Sequence, residues 1–371
     1  FHVGNLADRV GQGSNLFESL CHAFDPLGGK LKAVDHRRGH LVVRDEDRLE
    51  TDHEWGWNLM VNSTEALARE CRALDARLAS RFQGCLLGGA VGDALGAPVE
   101  FMDIASIRAR FGAGGIRDYA PYAGKVGAIT DDTQMTLFTA EGLLRAATRP
   151  RLGSIAAEIP DAVAQSYQRW LLTQGDTSAL SPEVQSGWLI CHGALFSRRA
   201  PGLTCLTALR KMARYDEVAR NDSKGCGGVM RMAPVGLFVH GMGLDPQAAG
   251  GMAFGLGCEL AAITHGHPAG QHPAGVLAAL VVHMLHGASL PEALAETKAL
   301  LMTRADHEET LAAINLAVRL AADSGDRDNH LRQLGQGWVA EEALAIAIYC
   351  ALRSDSVEEG VILAVNLTGD S

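Results

Sequence analysis

Thr130-Asp131-Asp132-Thr133-Gln134-Met135-Thr136 is the stretch around which the rest of the chain is organised. It places two adjacent carboxylates between hydroxyl side chains, directly before the helical run Leu137-Phe138-Thr139-Ala140-Glu141-Gly142-Leu143-Leu144. Carboxylate and hydroxyl oxygens at a helix start suit Mg²⁺, Mn²⁺ or Ca²⁺ better than zinc. The same residues are typical of a helix N-cap, in which Thr or Asp accepts backbone N–H groups without any metal. The stretch alone leaves both interpretations open.

The composition excludes several classes of protein. The chain has 371 residues, of which 47% are hydrophobic, so it can bury a core without disulfides. Its formal net charge is −10 with both signs mixed along the sequence, which predicts no nucleic-acid partner. Apolar runs stop well short of a membrane span, and no signal peptide opens the sequence. We therefore expect a protein with no membrane partner that is made and kept in the cytoplasm.

The eight cysteines are scattered, with no close paired spacing. This pattern predicts buried, reduced thiols and argues against both a zinc knuckle and a disulfide framework.

Residues 1–78 differ in character from the rest and are assigned to an N-terminal extension. Residues 31–34 and 40–43 are strand-like runs around a polar turn, a pattern compatible with a β-hairpin. An acidic cluster between Asp45 and Glu54 is typical of a solvated loop. We expect this extension to be small and irregular, followed by one domain over residues 79–371.

The chain becomes helical from Ser80 onward. Small residues dominate Gly84 to Gly96, and each glycine costs a helix roughly 1 kcal/mol relative to alanine. A helix that accepts this cost is expected to let other backbones approach closely, which predicts a place at the centre of a bundle. The helix is expected to end at Pro98, so that the Glu100 carboxylate lies just beyond the helix end.

Residues 103–127 are expected to form a long connection with a short helix over Ile104 to Phe111. No convincing amphipathic strand occurs after it, and no repeat period holds. The fold class predicted is therefore all-α, an orthogonal multi-helix bundle. Its later helices are expected at Ile155 to Leu172, Pro182 to Phe196, Leu203 to Arg214, Leu256 to Thr264, Pro273 to Leu285, Leu290 to Met302, His307 to Ala322 and Val339 to Leu352.

Three further polar stretches lie at the ends of these helices. Asn221 to Pro234 is a Gly-rich turn that opens a helix, where backbone N–H groups can cradle phosphates, although such a turn is often only a turn. Ile263-Thr264-His265-Gly266-His267-Pro268 holds two histidines that could instead bond carbonyls at a helix C-terminus. The chain finishes with Gly369-Asp370-Ser371, which by itself resembles a tail.

Taken in this order, the motifs resemble the ADP-ribosylglycohydrolase family, of the type that reactivates dinitrogenase reductase by removing ADP-ribose from arginine. The resemblance runs from about Arg81 to the end of the chain. It is carried by Gly84-Cys85-Leu86-Leu87-Gly88, Gly92-Asp93-Ala94-Leu95-Gly96, Glu100, Thr130-Asp131-Asp132-Thr133, Gly225-Cys226-Gly227-Gly228-Val229-Met230-Arg231, Ile263-Thr264-His265-Gly266-His267 and Gly337-Trp338-Val339-Ala340-Glu341-Glu342-Ala343-Leu344.

The resemblance implies an all-α hydrolase with two divalent cations, Mg²⁺ or Mn²⁺. The implied metal ligands are Glu100, Thr130, Asp131, Asp132 and Asp370. The family's C-terminal Gly-Asp-Ser-Asp-Ser/Thr motif stops here after Asp370-Ser371. The implied catalytic residues are Glu100, Asp131 and Asp132, and Glu100 is either a ligand or a base. The residues implied to bind ADP-ribose are Asp222, Ser223, Lys224, Gly225, Cys226, Gly227, Gly228 and His265, whereas His267 is expected to be structural.

The expected substrate is an ADP-ribosylated protein, modified on arginine in preference to serine. Relatives that resemble inactive lens proteins would be expected to lose carboxylates, whereas this chain keeps them. Residues 1–78 resemble the extension of bacterial immunity proteins that neutralise ADP-ribosyltransferase toxins. Such an extension would block the toxin while the hydrolase reverses its modification, with Trp55 or Trp57 as an anchor. A housekeeping hydrolase without a toxin partner is the alternative.

Overall fold

The computed structural model describes residues 76–148, 155–180 and 187–370. The β-hairpin expected over residues 31–43, the acidic cluster and both extension tryptophans lie outside the described residues. No helix among the described residues combines the length and apolar content that crossing a membrane requires.

Thirteen α-helices occur in these ranges, which confirms the all-α fold class. We number them α1 (76–96), α2 (Ile104–Phe111), α3 (Asp131–Thr148), α4 (Ile155–Thr173), α5 (Leu203–Lys211), α6 (Ala233–His240), α7 (Pro246–Ala262), α8 (Pro268–Leu285), α9 (Leu290–Leu301), α10 (Glu308–Ala322), α11 (Arg327–Leu334), α12 (Ala340–Leu352) and α13 (Val357–Val365). Short 3₁₀ turns lie at Leu189–Cys191, Gly193–Leu195 and Cys226–Gly228.

The helix α8 lies between two apolar clusters that form most of the core. On one side Ala274, Ala278 and Val282 pack with α6 and α7, in a cluster that also includes residues of α3 and α4. On the other side Val276 and Leu280 pack with α9, α10 and α12. A third, smaller cluster joins the end of α1, α2 and Val365 of α13. The first and third clusters fix the positions of the helix ends from which the candidate site is built.

The glycines of α1 have no close neighbour among the described residues. A Cβ added to Gly84, Gly88, Gly89 or Gly92 would meet no described atom within 4 Å, so the expected close backbone approach does not come from residues 76–148, 155–180 or 187–370. Phe82, Leu86, Ala90 and Ala94 fill the buried face of the helix. Close approach occurs instead at Gly142 of α3, where a Cβ would lie 2.6 Å from the Cα of Val163 on α4.

The expected helix over Pro182 to Phe196 was also wrong where the structure describes it, because two 3₁₀ turns take its place. The buried Glu141 carboxylate on α3 accepts hydrogen bonds from the backbone N–H groups of Trp188, at 2.8 Å, and Leu189, at 3.0 Å. Arg169 of α4 pairs with the same carboxylate at 2.8 Å. A side chain from another helix therefore satisfies backbone groups that a continuous α-helix would have used itself.

Two helices, α11 and α13, and one small sheet were not expected from the sequence, whereas α6 is the helix expected to follow the Gly-rich turn. Two two-residue strands, β1 (Pro121–Tyr122) and β2 (Lys125–Val126), pair antiparallel. Ala123 and Gly124 connect them with φ values of 47° and 77°, the left-handed pair that a tight hairpin turn requires.

Candidate functional site

The start of α3 is held in place by Asp93, which lies near the end of α1. The Asp93 carboxylate accepts hydrogen bonds from the backbone N–H of Thr130, at 2.9 Å, and from its hydroxyl, at 2.8 Å. It also accepts bonds from the backbone N–H of Thr133, at 3.2 Å, and from the Thr133 hydroxyl. Four donors on the first turn of α3 therefore bind one carboxylate on α1, which fixes the direction of the two aspartates between them.

Thr130, and not Asp131 or Asp132, caps the N-terminus of α3. The backbone N–H of Asp132 donates to the Thr130 hydroxyl at 3.3 Å, and that of Gln134 to the Thr130 carbonyl at 3.2 Å. The Asp131 carboxylate instead accepts a bond from the backbone N–H of Gly202, the residue before α5, at 3.2 Å. The N-cap interpretation is thus correct for Thr130, and it does not account for the two carboxylates.

Asp93, Glu100, Asp131, Asp132 and Asp370 lie near this helix start, and neighbouring carboxylates raise the pKa values of Glu100, Asp131 and Asp132. Burial is the largest cause of a pKa of about 8 for Glu100, and the negative charges of Asp370, Asp131 and Asp93 raise it further. Burial likewise raises the pKa of Asp131 to about 7. The pKa of Asp132 lies well above its ordinary value, from burial first and then from the other four carboxylates. The other four carboxylates therefore all lie within electrostatic reach of Asp132.

Asp370 approaches the cluster from the C-terminal end of the chain. Its backbone N–H donates to the Gln336 carbonyl at 2.7 Å. Its carboxylate accepts a hydrogen bond from the Cys226 thiol, with 2.9 Å between Sγ and Oδ2. Burial and the charge of Asp370 hold the pKa of Cys226 well above its ordinary value, so the thiol keeps the proton that it donates. The last turn of the chain is thus joined directly to the Gly-rich turn.

The donor set has the chemistry of a hard divalent cation site. All five predicted oxygen ligands, on Glu100, Thr130, Asp131, Asp132 and Asp370, lie in this region. Among the described residues, no three His, Cys, Asp or Glu side chains are already grouped closely enough to hold an ion. The fit therefore rests on charge: buried carboxylates that repel one another are stabilised when a cation lies between them.

The Gly-rich turn is held by the backbone of residues 338–340. Gly225 forms an antiparallel bridge with Val339, and the Cys226 N–H donates to the Trp338 carbonyl at 3.1 Å. At Gly228 a Cβ would lie 2.7 Å from the Gly270 carbonyl oxygen, so the turn requires glycine there. The turn is thus packed closely against α8 on one side and beside Asp370 on the other.

The polar residues before this turn have other partners. The Asp222 side chain is 95% exposed and lies 4.0 Å from Nε2 of His267. The hydroxyls of Ser223 and Thr204 are 3.0 Å apart. Lys224 forms an ion pair with Glu309 at the start of α10. Of these predicted ligand residues, Cys226 contacts the carboxylate cluster through Asp370, whereas Asp222 and Lys224 lie on the outer side of the turn. Their roles in binding ADP-ribose stay predictions.

His265 is buried behind the turn. Its Nδ1 lies 2.8 Å from the Thr264 hydroxyl, and its ring would contact a Cβ added to Gly225 or Gly227 within 3.3 Å. Burial and the neighbouring Arg231 guanidinium lower the pKa of His265 to about 3, so the ring is neutral. In the described structure it supports the turn from behind. His267 caps α8, because its Nδ1 accepts a bond from the Ala269 N–H at 3.0 Å.

Two residues near the cluster were missed as site residues. Asp93 was noted only as part of a motif, although it contacts both threonines of the α3 turn. Tyr122 on β1 lies close enough that the charges of Glu100, Asp131 and Asp93 add to burial in raising its pKa. A carboxylate inside a run of small residues was a usable signal for Asp93. Nothing in the sequence marked Tyr122.

Comparisons with known proteins show which proteins the chain as a whole resembles. The family profile described as ADP-ribosylglycohydrolase matches residues 74–371. An uncharacterized protein of Archaeoglobus fulgidus is 28% identical over 300 residues, which cover 78% of this chain and 83% of that protein. A solved structure of an ADP-ribosylglycohydrolase-related protein complex is 27% identical, with a TM-score of 0.52, and the match covers 77% of this chain and 80% of that one.

Proposed function

Because the chain belongs to the ADP-ribosylglycohydrolase family, we propose that it removes ADP-ribose from modified arginine side chains of proteins in a reaction that depends on divalent metal. Membership supports a glycosidic-bond hydrolase of the ADP-ribosylglycohydrolase type, a family that is generally dependent on divalent metal. The observation that carries the finer proposal is the convergence of Asp131, Asp132, Glu100 and Asp370 beside the Gly-rich turn.

The proposed cofactor is a pair of Mg²⁺ or Mn²⁺ ions held by Glu100, Thr130, Asp131, Asp132 and Asp370. When bound, such ions supply a water of lowered pKa and a fixed position for the ribose hydroxyls. Cleavage at the anomeric carbon passes through an oxocarbenium-like state, which anionic side chains stabilise. The arrangement suits this chemistry because negative charge is concentrated at the start of α3.

The protein's own groups supply the remaining parts of the reaction. Glu100, in the carboxylate cluster, is proposed either to hold a metal ion or to accept a proton from the attacking water. Asp93 orients the α3 turn through Thr130 and Thr133. The backbone of the Gly-rich turn from Ser223 to Gly228 is proposed to approach the diphosphate, which the glycines permit.

The proposal is tested with a protein that carries ADP-ribose on arginine, incubated with the enzyme and Mg²⁺ or Mn²⁺, and again with a chelator. Release of ADP-ribose with metal and its loss with chelator support the proposal. Equal release in both, or none in either, contradicts it. A parallel serine-linked substrate tests the linkage, since release from serine alone would retain the mechanism and overturn the choice of arginine.

A role in toxin immunity is proposed in addition. The family match begins at residue 74, so residues 1–73 precede the hydrolase domain, and their acidic and aromatic side chains suit a protein partner. Two variants test this role: Asp131→Ala in a host challenged with an ADP-ribosyltransferase toxin, and a chain lacking residues 1–73 assayed for toxin binding. If protection requires activity alone, or the shortened chain binds the toxin fully, the blocking role is wrong.

A further inference from the structure

Residues 197–202 lie against the first turn of α3 and bond to Asp131 at two atoms. The Asp131 N–H donates to the Arg199 carbonyl at 3.2 Å. The Gly202 N–H donates to the Asp131 carboxylate, also at 3.2 Å. We propose that Arg199 is a positioning residue, whose side chain keeps residues 197–202 in the place from which they direct the Asp131 carboxylate. This inference rests on the proposed function and adds to it a residue that acts through Asp131.

The Arg199 guanidinium joins this segment to the residues that precede α3. Its Nη1 donates to the Ile129 carbonyl at 2.8 Å, and its Nε donates to the Ser197 hydroxyl at 3.0 Å. Ile129 and Asp131 are therefore both bonded to Arg199, one through its side chain and one through its backbone. Asp93 on α1 bonds to the residue between them. Two separate residues thus hold successive positions of one turn.

The burial of Arg199 indicates that the shape of its side chain matters as well as its charge. The residue is only 8% exposed, and burying a guanidinium costs free energy that hydrogen bonds have to offset. The two bonds described above go to neutral oxygens. A planar guanidinium presents its donors in a fixed fork, so it can fix two acceptors relative to each other, whereas the ammonium group of lysine cannot.

The backbone of the segment adopts a strained conformation between the two bonds to Asp131. Ala200 has a φ of 51°, in the left-handed region that alanine rarely adopts. Pro201 follows it directly and further restricts its backbone. Such a conformation persists only where surrounding contacts impose it. The bonds of Arg199 and Gly202 are contacts of this kind, so the strain lies in the segment that orients a carboxylate.

The test measures the binding of Mn²⁺ by calorimetry and the hydrogen exchange of the metal-free protein by mass spectrometry. Arg199→Met keeps a long stem and removes both donors. We expect the Kd for Mn²⁺ to rise about tenfold, as it does when a residue that orients a metal ligand is lost. Peptides that cover residues 129–134 should lose protection from exchange, whereas peptides from α8 should not.

Activity on an arginine-ADP-ribosylated protein gives a second readout. The kcat of Arg199→Met is expected to fall about tenfold, because Asp131 is misplaced. Its KM is expected to stay within about twofold, because Arg199 acts through Asp131 and not through the substrate. Arg198→Met is the matched control, since the Arg198 side chain is 51% exposed and lies 3.9 Å from Asp176. This control is expected to keep the wild-type Kd, exchange and kcat.

Three more variants separate the hydrogen-bonded fork from charge alone. Arg199→Lys keeps the charge without the fork and is expected to behave like Arg199→Met. Ala200→Gly adopts a left-handed backbone freely and should bind Mn²⁺ as the wild type does. Ala200→Val, in which a β-branched side chain opposes that backbone, should resemble Arg199→Met. Full wild-type behaviour of Arg199→Lys would show that only charge matters and would overturn the positioning role.

The remaining outcomes also decide the proposal. An unchanged Kd and unchanged exchange in Arg199→Met would contradict it. Faster exchange spread equally over all helices would show that Arg199 only stabilises the fold, and this too would overturn it. If the wild type neither binds Mn²⁺ nor releases ADP-ribose, the proposed function fails. Exchange at residues 129–134 then still decides the positioning role: faster exchange in Arg199→Met and Ala200→Val, but not in Ala200→Gly, supports it, and any other pattern overturns it.

Discussion

The Asp93 carboxylate on α1 accepts two hydrogen bonds from Thr130, one from its backbone N–H at 2.9 Å and one from its hydroxyl at 2.8 Å. Thr133 makes the same pair of bonds to this carboxylate. The direction in which Asp131 and Asp132 project therefore depends on a residue that precedes them by almost 40 positions. Asp93 is a positioning residue, because its described contacts are with the α3 turn.

Replacing Asp93 with asparagine tests this role. The amide has one acceptor oxygen where the carboxylate has two, so it cannot accept all four bonds, and the α3 turn is expected to shift. We expect a lower affinity for Mn²⁺ and a fall in kcat of at least about tenfold, typical of a misplaced catalytic group. Asp103→Asn is the matched control, because Asp103 is an exposed N-cap of α2 and asparagine caps equally well. Wild-type metal affinity and kcat in Asp93→Asn would contradict the positioning role.

The stabilising effect of metal is expected to grow with pH. The folded-state pKa values of Glu100, about 8, and Asp131, about 7, lie above their ordinary values. These groups stabilise the metal-free fold while they are protonated, and this contribution is lost as pH rises through the folded-state values. A divalent cation offsets the resulting repulsion, and at low pH it must displace protons.

Differential scanning fluorimetry with and without Mg²⁺ measures this effect. The increase in Tm caused by metal should be larger at pH 8.5 than at pH 5.5. Glu100→Gln removes one of the titrating groups and should flatten the pH dependence. A metal-induced shift in Tm that is absent, or equal at both pH values, would contradict the assignment of these carboxylates to a cation site.

Acid is expected to destabilise the fold through His265. Its pKa is about 3 in the folded protein, against an ordinary value of 6.5, so below pH 6.5 the unfolded chain takes up a proton that the folded one does not. Stability is therefore full above pH 6.5 and falls as pH falls, by about 2 kcal/mol at pH 5 from this group. Urea unfolding at pH 5 and pH 7.5 should show a smaller loss in His265→Gln than in the wild type. The exposed His192→Gln variant should lose as much stability as the wild type, and an equal loss in His265→Gln would refute the assignment.

The carboxylates proposed to bind metal were easier to predict than Asp93, which positions two of them. Asp131, Asp132, Glu100 and Asp370 were implied by the family resemblance, and the structure brings them together. Asp93 was missed because its hydrogen bonds reach across 37 and 40 positions, and no local spacing shows such contacts.

The helical fold class followed from hydrophobic periodicity, but several local features did not. The polar helix α11 was missed because RDNHLRQL has little apolar periodicity, and its start depends on the Asp326 side chain, which accepts the Asn329 N–H at 2.9 Å. The segment 187–196 was misassigned because its backbone is bound by Glu141 of α3. For the α1 glycines, spacing alone does not distinguish a packed face from an open one, and no described backbone approaches Gly84, Gly88, Gly89 or Gly92 closely.

Release of ADP-ribose by Asp132→Asn tests the central claim most directly. Asparagine keeps the size of the side chain and removes the charge, so circular dichroism should show an unchanged helical fold. With an arginine-ADP-ribosylated protein and saturating Mn²⁺, we predict that the rate falls at least about 100-fold relative to the wild type, as expected when a metal-site carboxylate is lost. A rate close to that of the wild type would contradict the account, because Asp132 would then serve only the local structure at the start of α3.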